Sequence, residues 1–112
     1  MARVLVVEDK DSLRSVMLDA LRAAGHEALG TRNAEAGLVV LRGAEPVDLL
    51  LTDLRLPGMN GLVATRTLRQ KQPQAAIVTL TRHGDESYLQ ELLRAGVSGY
   101  VLKQSAPAEL LQ

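Results

Sequence analysis

The sequence has 112 residues, of which 46% are hydrophobic and 23% are charged, a composition typical of one globular domain rather than a disordered chain. The 13 basic and 13 acidic side chains cancel, so the charge balance does not indicate a nucleic acid or an anionic membrane as partner. Cysteine is absent, which excludes disulfides, thiolate metal sites and cysteine nucleophiles and is consistent with a reducing cytoplasm.

The first predicted strand covers residues 4–7, a β-branched run that is too short to cross a membrane. A helix is predicted from about residue 11 to residue 24, with Gly25 just after its end. Its apolar residues recur at helical spacing, at Leu13, Val16, Met17, Ala20, Leu21 and Ala24. Leu18 lies off this apolar stripe and is expected to be an exposed contact.

The rest of the chain continues the alternation of strand and helix. A weak second strand at 27–31 precedes a second helix, which Asn33 is expected to cap. The later elements are strands at 47–52, 75–80 and 97–102 and helices at about 34–42, 62–71 and 84–95. Pro107 suits the start of a fifth helix. The chain stops soon afterwards, so we expect this helix to be truncated and the segment to be the N-terminal part of a longer protein.

Five strands that alternate with helices through short connections predict an α/β fold. The expected architecture is a five-stranded parallel sheet, doubly wound, with helices on both faces and right-handed crossovers. The flavodoxin-like strand order 2-1-3-4-5 is the common solution at this size. No internal repeat or linker interrupts the sequence, so residues 1–112 are predicted to form a single domain.

Polar residues follow directly on four of the five predicted strands: Glu8 and Asp9, then Asp53, Thr81 and Lys103. In an open parallel sheet the carboxyl ends of the strands form one edge, where ligands bind, so these side chains should converge. Three neighbouring carboxylates repel one another unless a cation lies among them, and hard oxygen ligands favour Mg²⁺. A carboxylate can also accept a phosphoryl group, whose charge Mg²⁺ and a lysine would neutralise.

Each of these residues, taken alone, also has an ordinary structural interpretation. Asp9 could cap the first helix, and Asp53 could be a turn carboxylate before the glycines and proline that follow it. Thr81 could simply end a strand, and Lys103 could be a solvated surface lysine. The functional interpretation therefore depends on the coincidence that polar residues with complementary chemistry follow four different strands at the same edge of the sheet.

With these residues in place, the sequence resembles the response-regulator receiver domains of bacterial two-component signalling along its whole length. Four segments carry the resemblance, and their order and spacing make it specific. They are VLVVED at residues 4–9, LTDLRLPGMNG at 51–61, VTLT at 78–81 and GYVLK at 99–103.

The resemblance implies that Asp53 is phosphorylated by a histidine kinase or a phosphotransfer protein. It implies that Asp9 and Asp53 bind Mg²⁺ directly, that Glu8 binds it through a water, and that the backbone carbonyl of Arg55 completes the protein ligands. Lys103 would pair with the phosphoryl group. The domain would be a switch rather than an enzyme, capable at most of self-phosphorylation and self-dephosphorylation.

The resemblance also implies a two-state surface. Thr81 would hydrogen-bond a phosphoryl oxygen and move toward it, and Tyr100 would be the switch aromatic that swings between exposed and buried rotamers. A local charge change would thereby alter the face formed by the fourth helix, fifth strand and fifth helix. That face would control an output domain, with transcription as the expected target, and could form a homodimer. We expect a cytoplasmic domain that contacts neither nucleic acid nor membrane.

Two departures from the family pattern leave alternatives open. Arg82 stands where the family usually has Ala or Gly, and could modulate the rate of phosphorylation or hydrolysis by narrowing the pocket or pairing with phosphate. Lys10 is unusual beside the acidic pair. One alternative is a protein-binding module that works without phosphorylation, with Arg82 or Lys10 as a built-in counter-charge. A phosphatase-like or flavin-binding enzyme is disfavoured, because Arg55 replaces the expected second acid and the first loop is acidic.

Overall fold

The computed structural model describes residues 2–53, 61–81, 93–94 and 96–102. Its elements are β1 (Arg3–Val7), α1 (Asp11–Ala23), β2 (Glu27–Thr31), α2 (Ala34–Arg42), β3 (Leu49–Asp53), α3 (Gly61–Lys71), β4 (Ala76–Thr81) and β5 (Gly99–Leu102). All strand pairs are parallel, in the order β2-β1-β3-β4-β5. The predicted α/β fold and strand order are confirmed, whereas most of the predicted fourth helix and all of the fifth lie outside the described residues.

Two helix ends form as the sequence predicts. Gly25 has a φ of 92° and follows α1, where its N–H donates to Arg22 O at 3.0 Å and the N–H of His26 donates to Leu21 O at 3.1 Å. This pair of bonds is the Schellman arrangement, which needs the left-handed backbone that glycine adopts without strain. At the start of α2, Asn33 Oδ1 accepts from the N–H of Ala36 at 2.8 Å.

The sheet separates two apolar cores because successive strand residues face opposite sides. On one side, Val4 and Val6 pack with Met17 and Leu21 of α1. On the other side, Leu5 and Val7 pack in a larger cluster with residues of α2 and α3, including Leu38, Leu41 and Leu68. Helices therefore cover both faces, as the doubly wound prediction requires.

The buried face of α1 differs from the prediction at two positions. Leu18 was expected to be exposed, but it is partly buried and packs against the cluster on the α1 side of the sheet. Val16, on the predicted stripe, is 49% exposed. The physical reason lies in β2: a Cβ on Gly30 would stand 2.7 Å from Leu18 Cδ1, so only glycine leaves room for Leu18 there. Helical periodicity alone cannot reveal space that a distant strand provides.

Three strands begin later than predicted, β3 and β5 by two residues and β4 by one. At β3 and β5, side chains take hydrogen bonds that would otherwise belong to the backbone ladder. Before β3, the N–H of Val47 donates to Gln72 Oε1 at 2.9 Å. Before β5, Ser98 Oγ accepts from the N–H of Ile77 at 3.1 Å. β3 also continues through Asp53, which was expected to follow the strand. Residue 53 is therefore held by the sheet rather than by a loop.

Candidate functional site

The strand register brings the carboxyl ends of four strands to one edge of the sheet, where the described residues among the predicted site residues lie. Val7, Thr52, Thr79 and Tyr100 form a continuous row of paired residues across β1, β3, β4 and β5. The next residues along the chain are Glu8 just after β1, residue 53 at the end of β3, Leu80 on β4 and Val101 on β5. The carboxyl ends of these four strands thus converge, as parallel pairing dictates.

The acidic pair after β1 is held in place by the backbone on both sides. Glu8 is fully buried, its N–H donates to Thr31 O at 3.0 Å, and its Oε2 accepts from the N–H of Lys10 at 3.3 Å. Asp9 is exposed. The N-cap position of α1 is occupied by Lys10, so the interpretation of Asp9 as the helix cap is wrong. The side chain of Lys10 makes no capping hydrogen bond, so α1 begins without a side-chain cap, and the role of Asp9 as a metal ligand stays a prediction.

A charged cluster beside this loop was not found by sequence reasoning. Arg14 Nη1 donates to the backbone oxygen of Glu8 at 2.8 Å, and Nη2 donates to Asp11 Oδ1 at 2.6 Å. Arg32 Nη2 lies 3.8 Å from the same Asp11 oxygen. The Arg14 guanidinium, through its hydrogen bond and its charge, and then Arg32 hold the pKa of Asp11 below its usual value. The i,i+3 spacing of Asp11 and Arg14 was the signal available in the sequence.

The switch pair predicted from the sequence lies on one face of the sheet. Thr81 is buried, and its hydroxyl makes a long contact of 3.5 Å to Val101 O on the neighbouring strand, at the limit of a hydrogen bond. Thr79 lies two residues earlier, on the same face, and is paired in register with Tyr100. Tyr100 is 55% exposed. Its role as a switch aromatic stays a prediction.

Several threonine hydroxyls are buried close to this edge of the sheet. Sequence reasoning did not predict them. Thr52, Thr65 and Thr79 are fully buried. Within the described part of the chain, Thr79 Oγ1 has no hydrogen-bond partner. A buried hydroxyl that makes no hydrogen bond costs about 1–3 kcal/mol, so this site is less stable than an apolar one of the same shape.

We therefore expect Thr79→Val to raise the free energy of unfolding by about 1 kcal/mol, because valine has the same shape and removes the uncompensated hydroxyl. Urea unfolding followed by circular dichroism measures the change. The matched control is Thr81→Val on the same strand, which loses a hydroxyl that has a contact and should gain nothing. A Thr79→Val protein less stable than the wild type would show that the hydroxyl is bonded after all.

Several predicted site residues cannot be located. Arg55, Arg82 and Lys103 lie outside the described residues, as does the side chain of Asp53, for which only the backbone position is described. Among the side chains that are described, no group of three or more His, Cys, Asp or Glu could hold a metal ion. The third predicted carboxylate, that of Asp53, is not among the described side chains. The prediction of a three-carboxylate site therefore stays a prediction.

The donor chemistry at the edge fits a hard divalent cation. Glu8 and Asp9 carry carboxylates at adjacent positions after β1, and residue 53 ends β3, the strand that pairs with β1. Mg²⁺ prefers carboxylate oxygens and keeps waters and phosphate oxygens as its other ligands, so an open edge with few protein ligands suits it.

Comparisons of this sequence with known proteins all indicate the same family. The sequence model of the response regulator receiver domain matches residues 4–112. The response regulator protein FleR of Pseudomonas aeruginosa is 34% identical over 110 residues, which cover 98% of this chain and 23% of FleR. The transcriptional regulatory protein AruR of the same organism is 36% identical over 113 residues, covering 97% of this chain and 46% of AruR. The chain thus spans less than half the length of either relative.

A solved structure shows the same fold. The CheY-like response regulator receiver domain protein of Methanospirillum hungatei superimposes with a TM-score of 0.91 at 25% identity, covering 99% of this chain and 88% of that one.

In the described part of the chain, no helix combines the length and the apolar character needed to span a bilayer.

Proposed function

Because the chain belongs to the response regulator receiver domain family, we propose that it is a phosphorylation-dependent signalling switch with Asp53 as phosphoacceptor. The observation that supports this most strongly is the strand register. Residue 53 ends the central strand of the sheet, beside the acidic pair that follows β1 and one strand away from Thr81. The backbone of residue 53 is fixed by its pairing with Leu80 of β4, at the end of the sheet where a phosphodonor would reach the carboxylate.

In the proposed reaction a carboxylate oxygen of Asp53 attacks the phosphorus of a phosphohistidine on a histidine kinase or phosphotransfer protein. An O–P bond forms as the N–P bond breaks, and the departing imidazole nitrogen keeps the electron pair. Asp9 and Asp53 would hold Mg²⁺ directly, with Glu8 acting through a water and Arg55 through its carbonyl oxygen. Bound Mg²⁺ supplies charge neutralisation for the transferring group, and the ammonium of Lys103 supplies the rest.

The proposed output is a change of surface rather than turnover of a substrate. Phosphorylation would draw the hydroxyl of Thr81 from Val101 O toward a phosphoryl oxygen, and the vacated space on that face would receive the ring of Tyr100. The altered surface around β5 would then control an output domain, as a transcriptional regulator requires, and could support a homodimer. Arg82, next along the chain from Thr81, would modulate the rate. The proposal places the switch in the cytoplasm, with no contact of this domain to nucleic acid or membrane.

Titration of the wild-type protein with Mg²⁺ and then beryllofluoride, followed by amide NMR, tests this function. We expect Mg²⁺ to shift the signals of Asp9 and Lys10, and beryllofluoride with Mg²⁺ to shift Thr81 and Tyr100 as well. The amide of Asp48, at the opposite edge of the sheet, should not respond. Absence of binding at millimolar concentrations would instead support a module of the same fold that binds partners without phosphorylation.

A further inference from the structure

Arg14 joins the first turn of α1 to the loop that carries the acidic pair. We propose that Arg14 is a positioning residue for the metal site. Its guanidinium holds the backbone of Glu8 in place, in a position for which Gly30 leaves room, and so sets the affinity of the site for Mg²⁺. The inference rests on the proposed function, because it assumes that Glu8 and Asp9 serve a divalent cation.

Two nitrogens of the guanidinium are engaged, each with a different acceptor. Nη1 donates to the backbone oxygen of Glu8 at 2.8 Å, and Nη2 donates to Asp11 Oδ1 at 2.6 Å. The side chain of Arg14 is only 19% exposed although it carries a charge. A planar fork that bridges two acceptors fixes their relative position, which a single-point ammonium cannot do. The orientation of the peptide between Glu8 and Asp9 is therefore set from α1.

A glycine on β2 makes this position possible. A Cβ on Gly30 would stand 3.2 Å from Arg14 Cδ and 2.7 Å from Leu18 Cδ1, so the stem of Arg14 crosses β2 where no side chain exists. The three heavy atoms nearest to such a Cβ belong to Leu18 and Arg14 and not to the acidic pair. A side chain at position 30 therefore gives a second way to disturb the clamp without changing any charge.

Removal of the Arg14 side chain should change the Mg²⁺ affinity in opposite directions, depending on whether Arg14 acts only through its charge or by positioning the loop. Removing a cation near the acidic loop, and freeing the Asp11 carboxylate from its partner, would strengthen the attraction for Mg²⁺. Loss of the clamp would weaken binding, because residues that orient metal ligands typically contribute about 10–100-fold in affinity. The sign of the change in affinity therefore separates the two effects.

The experiment compares the full chain with Arg14→Ala, Arg14→Lys, Gly30→Ala and the control Arg22→Ala, using two readouts. One is the Mg²⁺ dissociation constant from NMR titration, and the other is amide hydrogen exchange of Lys10 without metal. Arg22 lies on the same helix and also donates to a backbone oxygen, that of Ala28 at 2.8 Å, so its loss matches the structural cost.

We expect Arg14→Ala to raise the dissociation constant about tenfold and to speed exchange at Lys10, whose N–H bonds to Glu8 Oε2. Arg14→Lys keeps the charge and should still bind more weakly than the wild type. Gly30→Ala should act in the same direction, and it provides the test if Arg14→Ala does not fold. Arg22→Ala should change neither readout.

Equal or tighter Mg²⁺ binding by folded Arg14 variants, with unchanged exchange at Lys10, would overturn the positioning role while leaving the proposed function intact. A wild-type protein that binds no Mg²⁺ would overturn the proposed function, and the inference with it. An equal loss of affinity in Arg22→Ala would show a general loss of stability and would also overturn the inference.

Discussion

Asp53→Asn abolishes phosphate incorporation from a cognate kinase or a small phosphodonor, and this is the largest functional effect that we expect. The amide of asparagine lacks the anionic oxygen that attacks phosphorus, and it carries no charge to hold Mg²⁺ with the acidic pair. The backbone should be unaffected, because residue 53 is paired as the last residue of β3 and the two side chains have nearly the same shape. Radiolabelled phosphate on the purified protein measures the effect.

The matched control is Asp48→Asn, the same substitution just before the other end of the same strand. Asp48 Oδ2 accepts from the N–H of Arg3 at 2.8 Å, an interaction that an asparagine oxygen can keep, and the residue lies at the edge away from the site. This variant should be labelled like the wild type. Persistent Mg²⁺-dependent labelling of Asp53→Asn would mean that another residue accepts the phosphate.

Leu50→Ala should have the largest effect on stability, lowering the free energy of unfolding by about 3 kcal/mol. Leu50 is fully buried in β3, in the larger of the two apolar clusters. The loss combines reduced burial with a cavity that a paired central strand cannot close. Because β3 also carries residue 53, we expect phosphorylation of this variant to fail at temperatures where the wild type remains folded. Urea unfolding gives the stability change.

Val39→Ala is the control for Leu50→Ala. Val39 is 71% exposed on α2, so its truncation removes little burial. Alanine also favours a helix more than valine does, by a few tenths of a kcal/mol or about 0.5 kcal/mol at most. The control should therefore unfold within about 0.5 kcal/mol of the wild type. Similar losses in both variants would contradict the placement of Leu50 in the core.

The elements that could be predicted from the sequence are those governed by local chemistry. Gly25 ends α1 and Asn33 caps α2 because their conformational and hydrogen-bonding preferences act within a few residues. The strand order cannot be read directly from the sequence; it was expected as the common solution for a doubly wound sheet of this size, and the structure confirms it. The convergence of Glu8, residue 53 and Thr81 at one edge then follows from the topology.

Most of the features that sequence reasoning missed depend on contacts between distant segments. The buried position of Leu18 depends on the space above Gly30, and neither residue signals the other in the sequence. The later start of β3 depends on Gln72, a side chain at the end of α3. The contacts of Leu18 and Gln72 are fixed by tertiary packing rather than by local pattern. The bridge from Arg14 to Glu8 O is local, but it uses a backbone acceptor, which leaves no trace in residue identity.

The most direct test of the central claim is the position of the phosphate on the wild-type chain. The protein would be phosphorylated with Mg²⁺ and a small phosphodonor, reduced with borohydride, which converts an aspartyl phosphate to a stable product, and digested for mass spectrometry. We predict modification at Asp53 alone, and none without Mg²⁺. Phosphate on Asp9, on Thr81 or on any residue other than Asp53 would contradict the claim that Asp53 is the phosphoacceptor, and so would a chain that stays unmodified.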